Sequence, residues 1–124
     1  MFGYSNKTVT FDYRKEKTFE ERLQESTKVK DKYSDKIPII VTKSSKCKLP
    51  DIDKNKYLVS NDMVLSQFLC TIRKRIKLQS SEALFFFVDN VIPNNGAPLG
   101  EIYNLHKDKD GFLYITYNSE NTFG

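Results

Sequence analysis

From Leu65 to Ile76 the apolar residues Leu65, Phe68, Leu69, Ile72 and Ile76 fall at i, i+3, i+4, i+7 and i+11, the spacing of a helix with one stripe to bury. A stripe that long needs a surface to lie on, and the chain supplies β-type segments on both sides of it. Upstream are "IPIIVTK" (37–43), β-branched with Pro38 near its start, and the short "YLVS" (57–60). Pro38 places the first strand at an edge or a first position, and the two strands form an antiparallel pair across a long polar connection. Downstream, "ALFFFV" (83–88) has no alternation and reads as a strand buried on both faces, or an inner strand under helices. "LGEIYNLH" (99–106) makes one short helix, and Asp110-Gly111 turns the chain into "FLYITY" (112–117), again apolar on both faces.

Before this block, "TFEERLQESTKVKDKY" (18–33) is an amphipathic helix that Pro38 forbids from continuing. Thr18 and Glu21 make a capping box, and Phe19, Leu23 and Tyr33 fall near one stripe with Val29 beside it. The order helix, β, β, helix, β, short helix, β predicts an α+β fold of the β-grasp kind, a mixed sheet with a helix on one face. Residues 1–35 are then a helical extension, 36–117 the core and 118–124 a tail.

The chain has no run of about 18 apolar residues to span a bilayer, and no apolar stretch at its N-terminus to act as a secretory signal. A soluble, cytoplasmic chain is the expectation. Its net charge of +4 is unevenly distributed. Residues 1–77 hold 18 Lys/Arg against 10 Asp/Glu, and residues 78–124 hold 2 against 6. A basic face of this kind suits nucleic acid, anionic lipid or an acidic protein segment.

Catalytic chemistry finds little support. His106, the sole histidine, ends a short helix with no Ser or Cys partner in any motif. Asp51, Asp53 and Asp62 lack the spacing of a calcium loop, and no metal or cofactor is expected. Cys47 and Cys70 stand 23 residues apart in no metal-like spacing; Cys70 is read as core, and Cys47, among lysines, as exposed. No RNA-binding signature is present, so nucleic acid is not the expected partner, although Arg73, Lys74, Arg75 and Lys77 keep a basic domain holding RNA or anionic membrane as the alternative.

What is left is a protein that works by its surface and its end. A free sheet edge accepts an extended peptide by β-augmentation; the first strand is the candidate edge, with Lys54, Lys56 and Arg75 to attract acidic peptides. The chain ends "YNSENTFG": five small or polar residues, then Phe123 and Gly124. A terminal glycine carboxylate has no β-carbon behind it, so it threads a narrow active site and is activated as an adenylate, then a thioester.

"DKYSDKIPIIV", "KNKYLV", "QFLCTIRKRI", "EALFFFVDNVIP" and the final aromatic-Gly closely resemble the autophagy ubiquitin-like modifiers of GABARAP type, from Phe19 to Gly124. The resemblance implies a ubiquitin-like β-grasp core behind two N-terminal helices, in a modifier that is not an enzyme. It implies that Gly124 passes through activating and conjugating enzymes to phosphatidylethanolamine, with Phe123 as a handle. The product would sit peripherally on autophagosomal or other organelle membranes, be released by a delipidating cysteine protease, and recruit receptors through aromatic-x-x-aliphatic peptides. The implied pocket for the aromatic residue is Glu25, Val29, Pro38, Ile40, Lys54, Lys56, Leu58 and Phe112. The implied pocket for the aliphatic residue is Tyr57, Val59, Ser60, Met63, Phe68 and Ile72, with Lys36 and Arg75 for acidic flanks.

Several positions depart from the family pattern. Ser60 stands for a common Pro, Thr71 for a larger apolar residue, and Lys36 for an Arg, which loses bidentate geometry. Val64 stands where a capping Thr or Ser is usual, so Asn61 or Asp62 is expected to cap the central helix. With Gly124 last, maturation cleavage is expected to be unnecessary.

Overall fold

The computed structural model describes residues 12–121. In chain order the elements are α1 (Tyr13–Glu16), α2 (Phe19–Lys32), β1 (Lys36–Lys43), β2 (Lys56–Ser60), α3 (Leu65–Arg75), β3 (Phe85–Phe87), α4 (Leu99–His106) and β4 (Leu113–Asn118). The strands form one mixed sheet in the order β2-β1-β4-β3, with β1/β2 and β3/β4 antiparallel and β1/β4 parallel. This is the expected ubiquitin-like α+β arrangement.

β1 is therefore interior and, among the described residues, the free edge beside it belongs to β2, which corrects the expectation that the first strand is the edge. Proline survives in an interior strand for a local reason. The Val41 N–H bonds Asn55 O on the β2 side, so alternation turns the Pro38 nitrogen toward β4, one residue before that pairing starts at Ile39–Leu113. β3 is likewise an outer strand, not an inner one, although Phe86 and Phe87 are both buried.

The main core lies between the sheet and α3. Leu65, Phe68 and Ile72 are fully buried against Ile37, Ile39, Val41, Leu113, Ile115 and Tyr117. On the opposite sheet face Ile40 packs with Tyr13 of α1 and Phe112, the two rings meeting edge-on at 5.3 Å. The cysteine expectations are reversed: Cys47 is buried and Cys70 exposed. In "KCKL" the chain alternates, Lys46 and Lys48 facing out while Cys47 and Leu49 join the core. Cys70 is two residues from Phe68, on the far side of α3.

Neither Asn61 nor Asp62 caps α3. Val64 is the N-cap residue; the Gln67 side chain accepts from its N–H, and the carbonyls of Ala97 and Asn95 accept from Leu65 and Ser66. The loop before α4 thus does the work a side chain was expected to do.

α2 has the expected capping box, Thr18 with Glu21, but docks by a different face. Phe19, Leu23 and Tyr33 are exposed, whereas Arg22 and Ser26 are buried. The Arg22 guanidinium meets the Asp110 carboxylate at 2.6 Å, and Ser26 Oγ donates to Asp110 O at 2.6 Å. Gly111, at φ +89°, lies so close beneath that a Cβ there would stand 2.3 Å from Ser26 Oγ. A second, exposed tie joins Arg14 to Asp108 at 2.8 Å.

Candidate functional site

Beside the free edge of β2, a cavity of about 200 Å³ opens between α2 and the sheet. Its lining is Glu25 and Val29 from α2, Pro38 from β1, Lys54, Lys56, Tyr57 and Leu58 at β2, and Phe112. Of the residues implied for the aromatic pocket, all but Ile40 line it. Ile40 is buried one layer down, against Tyr13 and Phe112, where it supports the floor.

Strand alternation explains the lining. Pro38 faces Leu58 and Ile40 faces Lys56 across the β1/β2 ladder, so these side chains emerge on the face where α2 lies. The polar mouth is tightly organised. The Tyr13 hydroxyl bonds Glu25, and Lys56 Nζ bonds both Glu25 oxygens at 2.9 and 3.2 Å while lying 4.5 Å over the Tyr13 ring. Burial opposes ionisation of Glu25, but the hydrogen bonds from Tyr13 and Lys56 and the Lys56 charge outweigh it, so its carboxyl falls below the usual range. Lys54 Nζ sits 5.1 Å over the Tyr57 ring.

The residues implied for the aliphatic pocket gather on the other sheet face, toward α3. Tyr57, Val59 and Met63 are half-buried and pack on the main core. Phe68 and Ile72 are fully buried, so they form its support and not its wall. Ser60 is held in the turn into α3, its Oγ accepting from Asp62 N–H. The Tyr57 hydroxyl is enclosed without a hydrogen-bond partner among the described residues, and burial first, with Asp53 adding to it against the opposing Arg75 charge, pushes its pKa up to about 12.

Lys36 pairs in register with Ser60 at the end of the β1/β2 ladder. Arg75 Nε is already engaged by Asp53 at 2.9 Å. Phe123 and Gly124 lie outside the described residues. His106, set aside as catalytic, bonds Asp89 at 2.8 Å. Sequence reading missed Tyr13, which ties the pocket mouth, and Asp53, whose pairing with Arg75 carries no local pattern.

The arrangement offers a free strand edge, an apolar-walled cavity on one face, apolar side chains on the other and cations at the rim. The family described as "Autophagy protein Atg8 ubiquitin like" matches residues 21–124. Autophagy-related protein 8e of Arabidopsis thaliana is 50% identical over 112 residues, covering 90% of this chain and 92% of that protein. Autophagy-related protein 8 of Mycosarcoma maydis is 48% identical over 112 residues, covering 90% and 95%. Among solved structures, Trypanosoma brucei ATG8 superposes with a TM-score of 0.84 at 36% identity, over 92% of this chain and 98% of its own. Plasmodium falciparum Atg8, in complex with a Plasmodium falciparum Atg3 peptide, gives 0.84 at 30% identity, over 91% and 99%.

Proposed function

This chain belongs to the Atg8 family of ubiquitin-like autophagy modifiers, and from that premise we propose that it is a lipid-conjugated membrane tag that recruits partners through short peptides. Gly124 is activated as an adenylate and thioester by the activating enzyme, passed to the conjugating enzyme and joined to phosphatidylethanolamine. A delipidating cysteine protease reverses the link. The tagged membrane then gathers receptors carrying aromatic-x-x-aliphatic motifs. No helix among the described residues is long and apolar enough to cross a membrane, so the acyl chains of the conjugate would supply the anchor.

The observation that carries the peptide reading is the cavity of about 200 Å³ beside the unpaired β2 edge. A peptide added to that edge is extended, so residues three apart point to opposite faces of the sheet and stand roughly 10 Å apart along the strand. An aromatic-x-x-aliphatic spacing therefore sends the aromatic side chain to the α2 face, with its cavity, and the aliphatic one toward Tyr57, Val59 and Met63. Backbone pairing fixes register, the apolar contacts supply most of the affinity, and the rim cations aid encounter. The Plasmodium relative's complex with an Atg3 peptide supports a partner of the same kind here.

Two arms test the proposal. Leu58→Ala removes a half-exposed wall of the cavity and is expected to weaken an aromatic-x-x-aliphatic peptide roughly tenfold by calorimetry. Reconstitution with activating and conjugating enzymes, ATP and liposomes should give a mobility-shifted membrane form that Gly124→Ala abolishes while peptide affinity is unchanged. Unchanged affinity in Leu58→Ala sinks the pocket assignment, and a persisting membrane form in Gly124→Ala sinks the conjugation step.

A further inference from the structure

Away from the β2 edge, at the C-terminal end of α3, a second cavity of about 280 Å³ is lined by Cys70, Arg73, Lys74, Lys77, Leu78 and Ser80. Its wall is mainly apolar and its rim cationic. Among the described residues no carboxylate ion-pairs with Arg73, Lys74 or Lys77, in contrast to Lys43, Lys56 and Arg75. The nearby loop is self-satisfied: Arg73 donates to Gln79 O at 2.8 Å, and the Glu82 carboxylate is spent on the Gln79 N–H at 3.0 Å. The charge at this rim is left facing outward.

Lys77 adds a second observation. α3 ends in a Schellman turn, with Leu78 N–H bonding Arg73 O and Lys77 N–H bonding Lys74 O. The residue after the cap takes a left-handed conformation, φ +59°, where glycine is unstrained and lysine is not. Lysine thus occupies a position where fold stability favours glycine, and the ammonium it brings lies on the cavity rim.

The cavity also has a defined place in the molecule. The loop carrying Leu78 and Ser80 leads into β3, whose Phe85 pairs with Asn118 at the end of β4. The rim therefore lies toward the end of the sheet from which the chain runs on to Gly124.

We propose that this basic-rimmed cavity at the C-terminus of α3 is a docking site for the anionic phospholipids of a bilayer, the cations taking headgroup phosphate or carboxylate and the apolar wall taking the top of an acyl chain. Positive charge near an anionic bilayer surface is worth about fivefold in partition per Lys or Arg, so three cations give a preference of about 100-fold over a neutral bilayer at low salt. In a chain tethered through its last residue, as proposed above, the site would orient the sheet end toward the membrane and leave the β2 edge open to peptides. The binding itself requires no conjugation.

Sedimentation of the full, unconjugated chain with phosphatidylcholine or phosphatidylserine-rich vesicles tests this, and its failure leaves the Gly124 reading standing. Preference for the anionic vesicles is expected in the wild type and lost in Arg73→Gln/Lys74→Gln/Lys77→Gln. Lys15→Gln/Lys28→Gln/Lys32→Gln, which removes the same charge from the N-terminal helices, should retain it. Lys77→Gly separates binding from folding: melting temperature should rise by about 4 °C as the backbone strain is relieved, while partition falls about fivefold. Equal losses in the two triple variants would reduce the effect to net charge and overturn the site. So would equal binding to neutral vesicles, or displacement by inorganic phosphate as effective as that by soluble phosphatidylserine headgroup.

Discussion

Asp110→Asn tests how the helical extension is held. The carboxylate is completely buried and its partner Arg22 is 11% exposed, so solvent screens the pair little. Asp110 accepts from Arg22 Nη1 at 2.6 Å, from Phe112 N–H at 2.9 Å and from the Tyr114 hydroxyl. An amide keeps one accepting oxygen and turns its NH₂ toward donors. Neutralising one partner of a buried pair costs about 3–5 kcal/mol, because the surviving charge is left uncompensated. At roughly 4 °C per kcal/mol for a domain of this size, the melting temperature should fall by about 12–20 °C. Arg14→Gln, which breaks the exposed pair with Asp108, is the internal comparison and should cost no more than about 1 kcal/mol. Differential scanning calorimetry of both variants, with peptide affinity measured well below the transition, gives the readout. If Asp110→Asn lowers the melting temperature no further than Arg14→Gln does, the buried pair does not hold the extension.

Asp53→Asn frees Arg75 from its exposed partner, and an acidic-flanked peptide should bind up to about fivefold tighter while a neutral-flanked one is unchanged; equal gains for both would show that Arg75 does not read the flank. Acid should loosen the pocket mouth. Glu25 has a folded-state pKa below its ordinary 4.5, so its contribution is complete above that value and is lost as pH falls through the lowered one. Tyr13 fluorescence and peptide affinity should therefore hold from neutral pH to about 4.5 and decline below it, whereas Glu25→Gln should flatten that limb of the affinity profile.

The elements were legible where local periodicity decides them. The Leu65–Ile76 stripe, the β-branched run after Pro38 and the capping box of Thr18 and Glu21 each became the element they predicted. What failed was non-local. The apolar residues of α2 do not mark its docking face: the helix buries Arg22 against the carboxylate, and Ser26 against the backbone carbonyl, of a residue more than 80 positions away. Nothing in "IPIIVTK" reveals that β4 will pair along its other side, so an interior strand looked like an edge. α1 spans four residues, too short for a period, yet it brings Tyr13 under the pocket. The gathering of the implied pocket residues came from the family resemblance; composition and spacing alone offered only basic residues near a strand.

One buried carboxylate ties the helical extension to the wall of the cavity, and this has a functional consequence. Asp110 holds α2 through Arg22 and also orders the backbone of Phe112, and both α2, through Glu25 and Val29, and Phe112 wall the cavity. The cavity therefore exists only while the extension is docked. A peptide that fills it binds the docked state alone, so by linkage docking strengthens peptide binding and peptide binding strengthens docking by the same factor. Loss of docking would remove the α2 wall and leave the β2 edge and the Tyr57, Val59 and Met63 surface in place. On the proposed peptide reading, selectivity for the aromatic residue would be a property of the assembled extension, while register and the aliphatic contact would belong to the sheet.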